Sequence, residues 1–96
     1  MVHTPMPEDL NRLSHYMHLL EGSTRVALYP EAEGIGHNEF TYVAWNGTHV
    51  RLKNNTTSES LGVPFSVIDY ITVGTSGPII RLRRQMKYLP HENVLV

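Results

Sequence analysis

The dipeptide Asn46-Gly47, set between the alternating segments Phe40-Thr-Tyr-Val-Ala-Trp45 and Thr48-His-Val-Arg-Leu-Lys-Asn54, constrains this chain more than any other feature. Asn-Gly is the pair best able to take the two positive φ values of a type I′ turn, so the sequence predicts a tight antiparallel hairpin. A two-residue loop sets Trp45 opposite Thr48, Val43 opposite Val50 and Thr41 opposite Leu52, and these side chains share the core face. The other face then pairs Ala44 with His49, Tyr42 with Arg51 and Phe40 with Lys53, which places aromatic rings across from cations on the side open to a ligand.

A chain of 96 residues, 41% hydrophobic and 18% charged, has the balance of one folded domain with one modest core. It has no cysteine, which rules out disulfide staples and thiolate metal sites. The first residues lack the basic and apolar regions of a signal peptide, and no apolar run approaches the roughly 18 residues of a membrane span, so a cytoplasmic protein without membrane contact is expected. The net charge of -1 is unevenly spread, because residues 1–47 hold two basic and six acidic side chains and residues 48–96 hold six and three. A basic surface on the second half is compatible with the near-neutral total.

Pro7-Glu8-Asp9 marks a helix start, and Leu10, Leu13, Met17 and Leu20 follow as one apolar stripe before Gly22, which predicts an amphipathic α-helix over 7–21. Thr24 to Tyr29 alternates as a strand ended by Pro30, and 31–38 reads as a loop. Its Gly34-Ile-Gly36 lacks the third glycine and the lysine-serine ending of phosphate loops, so turn chemistry explains it better. Leu61 to Val73 predicts a strand, a 3₁₀ turn and a second strand, from the three-residue spacing of Phe65, Ile68 and Ile71. From 78 to 89 a helical stripe (Ile79, Leu82, Met86, Leu89) competes with a strand face (Ile80, Leu82, Met86, Tyr88), and both readings stay open.

This element order, with Trp45-Asn46 in place of Phe-Asp, Val50 to Asn54 ending in Leu-Lys-Asn, and Val63 to Ile71, resembles the Sm-like family of Sm and LSm proteins and bacterial Hfq. The resemblance covers about residues 7–73. Phe65-Ser66 stands where the family carries Arg-Gly or Lys-His, and Val50 stands where its base-reading Asn falls. The resemblance implies a mainly β fold with an N-terminal α-helix: a strongly bent, five-stranded, SH3-like open barrel over 24–73, followed by a C-terminal extension over 74–96. It further implies a homo-oligomeric ring of about five to seven subunits, joined through strand edges near 59–63 and 70–73, that binds single-stranded RNA or DNA.

On that basis the expected nucleic-acid contacts are Asn46, Thr48 and His49 from the hairpin turn, Phe65 and Ser66 from the second motif, and Arg81, Arg83, Arg84 and Lys87 as the phosphate-binding cluster. Plainer roles compete with each: Asn46 makes the turn, Phe65 fills the core, and the cations coat a solvated face. His15 and His18, with Glu21 a turn further on, lack a certain third metal ligand. Ser66 and Asp69 have no histidine beside them, so no catalytic set forms and a non-enzymatic protein without a cofactor is expected. The alternative is a small-barrel module for protein interaction or structural assembly that binds no nucleic acid.

Overall fold

The computed structural model describes residues 12–96, so the first part of the expected helix over 7–21 lies outside the described residues. Within them only Arg12 and Leu13 are α-helical, and the chain then tightens: Ser14–Leu19 is a 3₁₀ helix, and the Leu20 N–H closes its last turn on the Met17 carbonyl at 3.0 Å. His15, Tyr16 and His18 are middling helix formers, which leaves packing to decide the local geometry. Leu13, Met17 and Leu20 are nonetheless buried, so the apolar stripe does its work in a tighter helix.

Eight strands follow: β1 (Ala27–Tyr29), β2 (Phe40–Trp45), β3 (His49–Asn54), β4 (Ser60–Pro64), β5 (Ile68–Gly74), β6 (Gly77–Leu82), β7 (Tyr88–Leu89) and β8 (Val94–Leu95), with a 3₁₀ turn at Phe65–Val67 between β4 and β5. They form two mixed sheets, ordered β1-β6-β5 and β2-β3-β4-β8-β7. This corrects the expected Sm-like five-stranded open barrel. The physical reason is β6, which the sequence left open between helix and strand. Thr75-Ser76 turns the chain back on β5, and β6 inserts between β5 and β1, antiparallel to the first and parallel to the second. Residues 74–96 are therefore not an appendage, since they supply the central strand of one sheet and two strands of the other.

Gly77 makes that turn. Its φ is +139°, and a Cβ there would stand 2.4 Å from the Arg25 carbonyl oxygen, so no other residue fits without moving backbone.

The hairpin of β2 and β3 forms where the sequence places it, but with a different turn and register. Neither Asn46 nor Gly47 takes a positive φ. Instead the Asn46 Oδ1 accepts the N–H groups of Thr48 and His49, both at 2.8 Å, and the Thr48 hydroxyl at 3.1 Å. A side chain that captures the donors of the next residues replaces the type I′ turn. Trp45 then pairs with Val50, Val43 is an extra bulged residue, and Phe40 pairs with Asn54. One consequence is a change of face along β2, in which Phe40 is buried while Val43 is 55% exposed. The aromatic–cation pairs expected across this hairpin do not form, because Arg51 lies opposite Ala44 and Lys53 opposite Thr41.

Phe40 also joins the two sheets, since its N–H and carbonyl bond to the carbonyl and N–H of Val26, each at 2.8 Å. The core between the sheets contains Val26, Leu28, Phe40, Val50, Leu52, Leu61, Val63, Phe65, Ile68, Ile71, Ile80 and Leu95. Asn54 is the one polar side chain buried with them among the described residues. Its Nδ2 donates to the carbonyls of Ile35 and His37, and its Oδ1 accepts the N–H groups of Thr56 and Thr57. A single amide thus ties the 35–37 loop to the turn after β3.

Candidate nucleic-acid interface

The outer face of the β1-β6-β5 sheet carries the most distinctive chemistry of the molecule. Along β6, Pro78, Ile80 and Leu82 point into the core, so Ile79 and Arg81 point out. Leu28 of β1 and Ile71 of β5 are buried beside Ile80, which turns Tyr29 and Tyr70 outward. Asp69 is a bulged residue in β5, and that extra residue brings Tyr70 level with Arg81. The register then aligns Tyr29, Arg81 and Tyr70 in one row across the strands. The Arg81 guanidinium carbon lies 4.5 Å from the Tyr29 ring centroid and 5.7 Å from that of Tyr70. Tyr29 is 58% and Tyr70 41% exposed, so each ring keeps a surface on which a flat ligand could stack.

The expected site residues fall into three groups. Asn46, Thr48 and His49 are together at the hairpin tip, with Thr48 Oγ1 2.7 Å from His49 Nδ1. That tip adjoins the 3₁₀ turn, because the Phe65 N–H donates to the Thr48 carbonyl at 2.9 Å. Phe65 itself is only 3% exposed and meets the Trp45 ring edge-on at 5.9 Å, so its ring belongs to the core and cannot stack on a base. Ser66 is exposed beside it.

The 3₁₀ turn in its turn adjoins the end of β6, where the Arg83 N–H donates to the Val67 carbonyl at 2.8 Å. Arg83 and Arg84 are exposed there, two and three positions beyond Arg81. Lys87 stands apart: its N–H and carbonyl pair with the carbonyl and N–H of Val96, and its backbone lies in a parallel β-bridge with that of Glu33. The hairpin tip, the 3₁₀ turn and Arg83 are thus brought together, Arg81 belongs to the tyrosine row, and Lys87 belongs to neither. Sequence reasoning missed Tyr29 and Tyr70. The signal for them was the strand reading of β6, which exposes Arg81 between two neighbouring strands.

Elsewhere, a depression lined by Ile35, Phe40, Asn54, Glu59, Ser60, Leu61 and Tyr88 holds little more than a water molecule. Burial, and then the negative charge of Glu59, push the Tyr88 phenol above its ordinary pKa, while its hydroxyl donates to the Asn93 Oδ1 at 3.0 Å. Burial followed by the Glu21 charge does the same to Tyr42. Among the described residues, no three His, Asp or Glu side chains stand together as a metal site, and no helix is long and apolar enough to cross a membrane. In comparisons with known proteins, the chain matches no family model, no curated protein and no solved structure.

Proposed function

We propose that this chain is a non-enzymatic binder of single-stranded RNA, and that the strand lies across the outer face of the β1-β6-β5 sheet. The observation that carries the reading is the Tyr29–Arg81–Tyr70 row, with half-exposed rings on both sides of a guanidinium. Single strands are held by stacking unpaired bases on aromatic and guanidinium planes while cations follow the phosphates. Arg81 supplies both functions, and Arg83 and Arg84 extend positive charge past the end of β6. The hairpin tip, with Asn46, Thr48 and His49, is a second polar contact reached from Arg83 over Ser66. No bond is made or broken, and affinity comes from stacking and counterion release.

Fluorescence anisotropy with labelled uridine-rich and adenine-rich oligonucleotides, in RNA and DNA forms, tests this directly. With three arginines engaged, the logarithm of affinity should fall with the logarithm of salt at a slope of about -2. The double variant Tyr29→Ala/Tyr70→Ala should lose affinity at every salt concentration, while its salt slope stays close to that of the parent. No binding by the parent protein at low salt would overturn the proposal. The exposed Val43 and Trp45 at the outer end of β2 favour contact with a protein partner as the second reading.

A further inference from the structure

We propose that two copies of this chain pair edge to edge through β5, antiparallel about a two-fold axis at Thr72, and so continue the smaller sheet across the interface. Among the described residues, the sheet order leaves β5 with β6 on one side only. Gly74 and Gly77 close the Thr75-Ser76 turn as partners, and the next pair is Val73 with Pro78. Proline has no N–H, so Val73 and Pro78 are the non-bonded pair, and the N–H and C=O of Val73 point away from β6. Alternation gives the same outward direction to the N–H and C=O of Ile71.

Those groups are self-complementary. A two-fold axis at Thr72 sets Ile71 opposite Val73 of the second copy, and the reverse, for roughly four backbone hydrogen bonds. Val73, 59% exposed, then loses solvent contact beside the second copy. From Tyr70 to Gly74 the edge carries no lysine, arginine or proline, the residues that normally guard an edge. The start of β5 is guarded, because the Arg12 guanidinium donates to the carbonyls of Ile68 and Asp69.

The opposite edge of the same sheet is closed, and β4 is not an edge. Asn38 bonds both the N–H and the carbonyl of Leu28 on the outer side of β1, and β4 lies inside its sheet with the Gly62 N–H donating to the Asn93 carbonyl at 2.7 Å. Pairing of β4 with β5 of another copy, the ring contact expected from the family resemblance, would have to displace β8. Pairing of β5 with itself displaces no strand among the described residues. Charge does not oppose it, since Arg81 and its counterpart are three strand spacings apart laterally and four residues apart along the strands, about 20 Å in all, beyond the screening length of about 8 Å at physiological salt.

Light scattering without RNA tests the dimer and is independent of whether the protein binds RNA. The expected mass is twice the 10.9 kDa of the chain, falling to the monomer in Val73→Lys. Because the chain has no cysteine, Thr72→Cys gives a second test that does not rely on a destabilising change. Thr72 faces its own copy in a non-bonded pair, where side chains are closest, so mild oxidation should cross-link this variant and leave Thr75→Cys, in the turn, uncross-linked. A monomer at 100-fold the concentration used for anisotropy, a larger ring, or equal cross-linking of the two cysteine variants would overturn the proposal.

Discussion

The guanidinium of Arg81 lies over the ring of Tyr29, 4.5 Å from its centroid, although β2, β3, β4 and β5 separate their two strands along the chain. Their parallel pairing is a property of the tertiary fold, and it leaves a planar cation half-buried beside an exposed ring. A lysine at this position keeps the charge but gives up the flat, weakly hydrated surface. Arg81→Lys should therefore weaken oligonucleotide binding by about 1 kcal/mol while leaving the salt slope unchanged. Anisotropy at two salt concentrations checks both parts.

Two glycine substitutions should behave in opposite ways. Gly47 has open space around its Cα and no positive φ, so Gly47→Ala should change stability by less than about 0.5 kcal/mol in urea denaturation. Gly77→Ala drives a Cβ into the Arg25 carbonyl and should cost about 2 kcal/mol or more. A large loss from Gly47→Ala would show that the hairpin turn needs left-handed backbone after all.

Asn54→Ala removes a buried amide and leaves the carbonyls of Ile35 and His37 and the N–H groups of Thr56 and Thr57 without their partner. Unmade bonds of this kind cost more than made ones contribute, so a loss of about 2 kcal/mol is expected in chemical or thermal unfolding.

Alkaline pH should unfold the protein. The folded state holds the Tyr88 and Tyr42 protons more tightly than the unfolded chain does, so above the ordinary tyrosine pKa of about 10 the folded state binds more protons. Stability is unaffected by these groups below that pH and declines as pH rises beyond it. Tyr88→Phe should lower stability at pH 7 by about 1 kcal/mol, through the lost hydrogen bond to Asn93, and should flatten the alkaline decline. Urea midpoints at pH 7, 9.5 and 10.5 distinguish the two effects.

What the sequence revealed followed the range of the interactions involved. Leu61 to Val73 forms the expected strand, 3₁₀ turn and strand, because Phe65, Ile68 and Ile71 are close in sequence and all buried. The place of the hairpin was equally legible, but its turn type was not, since the Asn46 side chain competes with backbone geometry and local rules do not rank the two. Residues 78–82 fit two periodicities, and only the partners on both sides of β6 decide between them. Tyr29 and Tyr70 were invisible as a site for the same reason: nothing local to either residue announces Arg81.

The amide of Asn38 bonds Leu28 as a neighbouring strand would, but a side chain has no next residue to offer. A sheet closed in this way on one flank and open on the other adds one partner and then has no growing end. The same backbone that makes pairing through β5 favourable is thereby kept from templating a fibre, and the limit on stoichiometry is written into a single carboxamide in a loop.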